Sequence, residues 1–335
     1  MTSSDPAPTT LKEKDKAIAS AISSLAKTYG EGTVMSMKDE VGRVFPHIPT
    51  GLHEVDTKVL GIGGLPRGRI VEVYGTEAGG KTTFCLLVIG NAQRAGGRAA
   101  FIDAEHALSI DWAALQGVDV GELLVCQPDY GEQALEVVAA LLKTMALDVI
   151  VVDSVAALVP KAELDGEMGD AQMGLQARLL SQAMRKLTGL VSQSNTCLIF
   201  INQVRATIGQ AYGNPEVTTG GKALKFYSSQ RIDLRRIGSV KSGETIIGNT
   251  VRIKAAKNKL AAPFRVAEVE LLFDRGFDTL GGLIDAAVAK GVVTKSGSWY
   301  SYAGERAGQG KEQCREFFKD RVEELRKKVR ECPPS

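Results

Sequence analysis

The stretch from Ile70 to Thr83, IVEVYGTEAGGKTT, decides the fold class of this chain. It opens with the apolar run Ile70–Tyr74, which is typical of a buried strand. The following segment, Gly75–Thr82, matches the phosphate-loop pattern G-x-x-x-x-G-K-[ST]. A helical stretch from Lys81 to about Arg94 then places the loop at a helix N-terminus, where backbone N–H groups bind anions. The sequence therefore predicts a strand, a phosphate-binding loop and a helix in succession.

Each residue type in this loop has a chemical role in binding phosphate. Glycines let backbone N–H groups close around phosphate oxygens. Lys81 supplies a positive charge for the β- and γ-phosphates, and the Thr82 hydroxyl can ligate Mg²⁺. A glycine-rich turn with a solvated lysine is the much less favoured alternative. The candidate nucleotide-binding residues of the loop are Gly75, Thr76, Glu77, Ala78, Gly79, Gly80, Lys81, Thr82 and Thr83.

Apolar runs alternate with amphipathic helical stretches on the C-terminal side of the loop. This alternation predicts an α/β fold whose mostly parallel central sheet has helices on both faces. After Gly221 the runs lose their intervening helices, and we expect the strands 231–237, 250–256 and 266–273 to extend the sheet antiparallel. The predicted strands of the parallel part are 70–74, 99–103, 123–126, 148–153 and 196–202, and its helices are 81–94, 111–116, 132–145 and 175–192.

Smaller modules are expected at both ends of this core. Apolar residues at helical spacing predict an N-terminal helix over 11–29. A C-terminal α+β module is expected, with helices over 280–290 and 311–330 and a strand near 298–302. We therefore expect three domains, 1–42, 43–277 and 278–335.

Polar side chains follow several of the predicted parallel strands. Asp153 ends an apolar run, where a carboxylate can hold Mg²⁺ beside a phosphate loop, although capping of the next turn is the alternative. Glu105 lies just past another strand and can orient the attacking water, while a solvated carboxylate is equally compatible with the sequence. Asp103 competes with Glu105 for that role. Gln203 is placed to sense the γ-phosphate, and the glycine-rich loop after it is long enough to act as a switch.

The net charge of the 335 residues is only +2, but the charges are segregated. Residues 102–170 hold fourteen acidic and two basic side chains, whereas residues 222–259 hold ten basic and two acidic ones. Arg235 and Arg252, with Arg236 and Lys254, can share strand faces. A basic strip of this kind suits a nucleic-acid backbone, with a solvated strand face as the alternative.

Other classes of protein are disfavoured by composition. Hydrophobic residues make up 44% of the chain, which argues against wholesale disorder. Five widely spaced cysteines and three scattered histidines do not form a disulfide framework or a zinc motif. No apolar run is long enough to span a bilayer, and residues 1–10 lack the features of a secretory signal. We expect a cytoplasmic protein that does not bind membranes.

From about residue 31 to residue 310 the chain closely resembles the bacterial RecA recombinases. The resemblance implies a P-loop (RecA-like) ATPase that polymerises with ATP as a helical filament on single-stranded DNA, pairs it with homologous duplex and exchanges strands. Recombinational repair, the SOS response and self-cleavage of a repressor are implied with it. The motifs that carry the resemblance are Gly75–Thr83, Phe101–Leu108, Asp148–Leu158, Ser181–Leu187, Phe200–Gln203, Gly213–Glu216, Ala223–Tyr227 and Lys257–Lys259.

The resemblance also implies the roles of individual residues. Glu105 is the catalytic carboxylate, assisted by Lys81 and Gln203, with ATP and Mg²⁺ as cofactors. Lys257 and Lys259 reach the ATP of a neighbouring subunit.

DNA contacts and subunit contacts are implied in the same way. Two DNA-binding loops correspond to about 161–174 (the first loop) and 204–221 (the second loop). Phe226 resembles a subunit-interface residue, and the N-terminal helix is expected to pack on the next protomer. Primary-site positions are Met173, Ser181, Arg185, Arg205, Tyr212, Gly220 and Gly221, and secondary, duplex-facing positions are Arg235, Arg236, Arg252 and Lys254.

The sequence departs from the family pattern around the adenine and at two DNA-facing places. Ser109 replaces an Asp, while Trp112 and Phe273 replace tyrosines, so stacking area is kept but polar partners are lost. Thr207 replaces a lysine of the second loop. The family's acidic C-terminal tail is missing from the sequence as given, and we expect DNA loading that depends little on added Mg²⁺.

Two other functions use the same kind of ATPase. A RecA-like paralogue can act mainly as an ATP-gated signalling filament with weak strand exchange, and the altered adenine pocket leaves room for it. A hexameric helicase motor is less favoured, because the Gly213–Glu216 run and the Lys257–Lys259 motif fit the recombinases better.

Overall fold

The computed structural model describes residues 10–31, 33–34, 44–167, 174–206 and 216–332. The chain divides into two compact units, residues 1–44 and 45–335. The first contains helix α1 (Leu11–Tyr29), whose start is fixed by a capping box between Thr10 and Glu13 and none of whose residues is buried. The three-domain division with boundaries at 42 and 277 remains a prediction.

A mostly parallel sheet forms the centre of the second unit, as the sequence predicts. Within the described residues its nine main strands run in the order β12-β11-β10-β9-β3-β7-β6-β4-β5, and β8 adds to β7. The strands are β3 (Ile70–Gly75), β4 (Ala99–Asp103), β5 (Leu124–Cys126), β6 (Val149–Asp153), β7 (Cys197–Ala206), β8 (Glu216–Thr218), β9 (Gln230–Ser242), β10 (Thr245–Asn258), β11 (Val266–Leu272) and β12 (Gly276–Phe277), preceded by the separate pair β1 (His47–Ile48) and β2 (Leu65–Pro66).

Helices cover both faces of this sheet. Alternate residues of each central strand enter two different cores, so Val149 and Val151 pack with Phe84 of α2 while Ile150 and Val152 pack with Met184 of α6. This alternation confirms the doubly covered sheet. The helices are α2 (Lys81–Arg94), α3 (Ile110–Leu115), α4 (Gly131–Lys143), α5 (Lys161–Leu164), α6 (Leu175–Ser194) and α7 (Ala223–Tyr227), with a π-helical turn at Val55–Leu60 and a 3₁₀ turn at Val155–Ala157.

One expectation about strand direction is wrong. Strand β9, which contains the segment 231–237, runs parallel to β3, and only β10, β11 and β12 continue the sheet antiparallel. The β9–β10 pair is a long hairpin, so the reversal occurs at the hairpin turn and not at the border with β3. The helices between strands therefore end at this hairpin, and β9, which follows α7, still belongs to the parallel part of the sheet.

The C-terminal region forms a small α+β module with its own core. A three-stranded antiparallel sheet, in the order β13-β14-β15, packs with three helices around Phe318 and Leu325. The single helix expected over 311–330 is two helices, because the chain leaves helical geometry near Arg321 and both helices then bury apolar residues in the same core. The elements are α8 (Thr279–Ala289), β13 (Val293–Ser296), β14 (Trp299–Tyr302), β15 (Glu305–Gln309), α9 (Gly310–Phe318) and α10 (Val322–Glu331).

Candidate functional site

The phosphate loop connects β3 to α2 and requires glycine at its two ends. Gly75 has φ +156°, and a Cβ there would stand 2.0 Å from the carbonyl oxygen of Leu234. Gly80 caps α2 in the left-handed region at φ +82°, with a Cβ position 2.9 Å from Leu271. A larger residue at Gly75 would collide with the backbone of β9, and one at Gly80 would be strained in the left-handed region and press on the Leu271 side chain. The loop therefore keeps its N–H groups at the start of α2, where they can face phosphate.

Lys81 folds back over this loop. Its Nζ donates to the carbonyl oxygen of Thr76 at 2.7 Å. Partial burial lowers the pKa of Lys81, and the nearby carboxylates of Asp153, Glu105 and Glu77 oppose that shift. The ammonium thus lies between the loop and an acidic edge, in position to bind phosphate oxygens.

Thr82 and Asp153 form the oxygen pair expected for a divalent cation. The Thr82 hydroxyl donates to Asp153 Oδ2 at 2.7 Å. Burial raises the pKa of Asp153 to about 6, against the opposing effect of the Thr82 hydrogen bond. Hydroxyl and carboxylate oxygens are ligands that suit Mg²⁺, which completes its shell with phosphate oxygens and water. In the described ranges no group of three or more His, Cys, Asp or Glu side chains is arranged to hold a metal by itself.

Glu105 meets Gln203 at the same edge of the sheet. Glu105 Oε1 accepts from Gln203 Nε2 at 3.1 Å and from the Ser154 hydroxyl. Strand register explains the meeting, since Gly75 pairs with Gln203 and Asp103 pairs with Asp153. Gln203 lies within β7 and not after it, because this strand continues to Ala206 and pairs with β8 beyond the edge.

Asp103, the predicted competitor of Glu105, lies at the end of β4, beside the turn that follows it. Its side chain is buried, and its two oxygens accept from the backbone N–H groups of Ala107 and Leu108 at 3.1 and 3.2 Å and from Gln127 Nε2 at 3.0 Å. The two backbone bonds shape the turn after β4, and the bond from Gln127 joins that turn to the end of β5. The exposed carboxylate at the edge is Glu105.

Two of the three candidate adenine-side residues lie together beside α2. Trp112 Nε1 donates to the Thr83 hydroxyl at 3.1 Å, and Ser109 caps α3 by accepting from the Trp112 N–H at 3.3 Å. Phe273 follows β11, and the residue is 56% exposed. Ser109 therefore has a local capping role, which an Asp would also fill.

The primary DNA-site candidates that the structure describes lie on α6 and at the two ends of the second loop. Arg185 and Arg205 are exposed, while the Ser181 hydroxyl donates to a carbonyl within α6. Gly220 and Gly221 have φ +77° and +78°, and a Cβ on Gly220 would stand 2.2 Å from Leu180. The loop end therefore passes against α6. Two further candidates, Met173 and Tyr212, lie outside the described residues.

The basic strip on β9 and β10 differs from the expectation in two ways. Arg235 pairs directly with Arg252, and Lys254 follows on the same face, but Arg236 pairs with Val251 and is off that face. Arg235 is also bound by two carboxylates, since its guanidinium donates to Asp233 and to both oxygens of Glu216.

This binding changes the charge of the strip. The bond from Arg235 lowers the pKa of Glu216 and, in return, raises the pKa of the arginine. Glu216 begins β8 at the end of the second loop, so that loop neutralises part of the strip.

Lys257 fixes the end of α7. Its Nζ donates to the carbonyl oxygens of Lys225 and Phe226 at 2.8 and 3.0 Å. Burial and the neighbouring cations Lys259 and Arg231 lower its pKa. The Phe226 side chain is 65% exposed on this helix, and Lys259 is exposed beside it.

Comparison with known proteins places this geometry in a family. The RecA N-terminal domain model matches residues 16–278, and the RecA C-terminal domain model matches residues 281–332. The chain belongs to the RecA family. Protein RecA of Acidothermus cellulolyticus is 54% identical over 95% of this chain and 93% of its own length, and that of Geobacter sulfurreducens is 54% identical over 93% of this chain and 92% of its own.

A solved structure agrees with the fold. The RadB recombinase aligns with a TM-score of 0.53 and 22% identity, covering 69% of this chain and 98% of that one. As a member of this family, the chain is a DNA-dependent ATPase and recombinase. No helix in the described part of the chain is long and apolar enough to cross a membrane.

Sequence reasoning missed the residues that connect these RecA elements. Ser154 bonds Glu105, Glu216 binds Arg235, and Asn202 bonds the second loop. Each is separated from its partner by 17 to 49 positions. Only the register of the folded sheet identifies such pairs, although the position of Ser154 directly after Asp153 is a weak signal.

Proposed function

We propose that this chain uses ATP and Mg²⁺ to assemble a helical filament on single-stranded DNA, pairs that strand with homologous duplex and exchanges strands. The observation that carries the proposal is the meeting of Lys81, Asp153, Glu105 and Gln203 at the carboxyl edge of the parallel strands. In such a sheet, ligands bind at this edge.

The proposed site divides the work of ATP hydrolysis among these residues. Mg²⁺, held by Thr82 and Asp153, neutralises charge on the phosphate oxygens when it is bound. The loop N–H groups and Lys81 bind the β- and γ-phosphates. Glu105 orients the attacking water and accepts its proton. Gln203 Nε2 has two hydrogens, so it can keep its bond to Glu105 while donating to a γ-phosphate oxygen.

The other proposed contacts couple hydrolysis to assembly and DNA. We infer that Lys257 and Lys259 reach the ATP of a neighbouring subunit and that exposed Phe226 packs at that interface. The unburied apolar stripe of α1 is suited to pack on the next protomer. The cytoplasm is the proposed location, and a self-cleaving repressor is a proposed further partner.

Base-independent contacts suit the proposed DNA sites. Arg185 and Arg205 can bind the backbone of the first strand, and Arg252 and Lys254 that of the duplex. A recombinase must leave sequence to base pairing, and backbone contacts carry no direct sequence information.

ATPase activity with and without single-stranded DNA tests the nucleotide assignment. Wild type should be stimulated by DNA, and Lys81→Ala should abolish the activity in both conditions. Turnover that ignores both DNA and the substitution would refute the site. A strand-exchange assay then separates the recombinase from a signalling filament, since the latter pairs strands poorly.

A further inference from the structure

A buried carboxylate in β3 is not used by the proposed hydrolysis. Glu72 lies three residues before Gly75, and none of its surface is exposed. Its Oε2 accepts from Arg231 Nε on β9, and its Oε1 accepts from Asn202 Nδ2 on β7 at 3.0 Å. The Arg231 guanidinium also lies 4.4 Å from the Tyr74 ring centroid. Burying a charge is costly unless it is paired and hydrogen-bonded, so both contacts of Glu72 matter.

Asn202 uses every hydrogen-bonding position of its side chain. Nδ2 donates to Glu72 and to the Thr219 carbonyl oxygen at 3.1 Å. Oδ1 accepts from the Gln203 backbone N–H at 2.9 Å and from the Thr219 hydroxyl at 2.5 Å. One amide thus holds both the residue proposed to sense the γ-phosphate and the end of the second loop.

Glu72 is one of three groups that set which way this amide points, with the Thr219 carbonyl and the Gln203 N–H. A carboxylate only accepts hydrogen bonds, so it must face Nδ2 and not Oδ1. The reversed amide would set oxygen against oxygen at Glu72 and at the Thr219 carbonyl, and donor against donor at the Gln203 N–H. Without the carboxylate, one of these penalties is lost and the reversed amide becomes less costly.

We propose that Glu72 is a positioning residue that couples the nucleotide site to the second DNA loop by orienting Asn202. This inference rests on the proposed function, because it concerns how that site responds to DNA. Thr219 immediately precedes Gly220 and Gly221, which pass against α6. Loosening of the amide therefore weakens the side-chain hold on Thr219 beside the β7–β8 pairing, while the phosphate loop is unchanged.

The direct test is Glu72→Gln in the full chain. A neutral amide cannot accept from both Arg231 and Asn202 without presenting a donor to one of them. Loss of one buried hydrogen bond corresponds to a change of about tenfold in an equilibrium. We therefore expect the ratio of ATPase turnover with and without single-stranded DNA to fall about tenfold. The Kd of a fluorescent ATP analogue should change by less than about twofold, because the phosphate loop makes no bond to Glu72.

A matched control separates coupling from simple loss of stability. Asp148→Asn removes a carboxylate that pairs with Arg67 at the opposite, amino edge of the sheet. It should lower the Tm without changing the DNA-stimulation ratio. Equal loss of turnover with and without DNA in Glu72→Gln, as from a smaller folded fraction, would overturn the inference.

A second pair of variants decides the matter if Glu72→Gln does not fold. Thr219→Val removes the hydroxyl that donates to Asn202, and Thr219→Ser keeps it. The ratio of ATPase turnover with and without single-stranded DNA should fall in Thr219→Val and be retained in Thr219→Ser. Equal ratios in the two variants refute the coupling. Absence of DNA stimulation in wild type would instead refute the proposed function, so the two failures are distinguishable.

Discussion

Two carboxylates two residues apart, Asp103 and Glu105, should respond to loss of charge in opposite ways. Glu105 is exposed at the nucleotide edge, where it accepts from Ser154 and Gln203. Asp103 is 2% exposed and accepts from two backbone N–H groups and from Gln127. We expect Glu105→Gln to stop hydrolysis in a stable protein and Asp103→Asn to destabilise a protein that still hydrolyses ATP.

The magnitudes follow from these contacts. A positioned general base contributes about 10²- to 10⁴-fold, so kcat should fall by that factor in Glu105→Gln. Its stability should change by less than about 0.5 kcal/mol, as for a surface substitution. In Asp103→Asn, an NH₂ group replaces one oxygen and faces backbone donors. Losing one or two hydrogen bonds to a buried charged acceptor costs about 2–4 kcal/mol, which lowers the Tm by roughly 4–12 °C.

Three measurements on each variant check this pair. They are ATPase turnover with saturating single-stranded DNA, binding of a fluorescent ATP analogue, and thermal unfolding by calorimetry. Both variants should bind the analogue within about threefold of wild type once corrected for the folded fraction. The reasoning is refuted if Glu105→Gln keeps more than a tenth of the wild-type kcat. It is also refuted if the kcat of folded Asp103→Asn falls a hundredfold.

Three further predictions concern pH, base selectivity and DNA. Because burial raises the pKa of Asp153 to about 6, above its ordinary value, protonation favours the nucleotide-free fold. The free energy of unfolding of the nucleotide-free protein should therefore fall as pH rises through 6, while its affinity for the Mg²⁺ nucleotide rises. If Asp153→Asn shows the same dependence of stability and affinity on pH as wild type, this reasoning is contradicted. Since Ser109 and Trp112 offer stacking without the usual polar partners, ATP and GTP should be hydrolysed at comparable rates, and strict ATP preference in a competition assay would exclude the idea. Glu216→Gln should release Arg235 towards phosphate and steepen the salt dependence of duplex binding by about one unit of slope, measured by fluorescence anisotropy; an unchanged slope would count against it.

The phosphate site was predictable from sequence because its information is local. The motif from Gly75 to Thr82 is contiguous, and the strand before it and helix after it fix its setting. Asp153 and Glu105 were predictable for a similar reason, since each follows an apolar run and parallel strands end at one edge. The structure brings both to Lys81.

Side-chain pairing across the sheet was not predictable. Glu72 and Asn202 are 130 positions apart, and Glu72 stands in an apolar strand where its charge is the exception. Nothing in the spacing of these residues selects one partner over another. The parallel pairing of β3 with both β7 and β9 creates the contact, and that topology was itself misjudged at β9.

The basic strip shows why charge counted along a sequence overstates charge on a surface. Residues 222–259 hold ten basic side chains, but Arg231 is bound to buried Glu72 and Arg235 to Asp233 and Glu216. Arg252 and Lys254 lie on the same face as Arg235 and have no ion pair among those found in the described residues. If duplex DNA binds this face, movement of the second loop that withdraws Glu216 adds a cation to it. Loop position and duplex affinity are then linked through one carboxylate, and the Glu216→Gln salt titration measures that link directly.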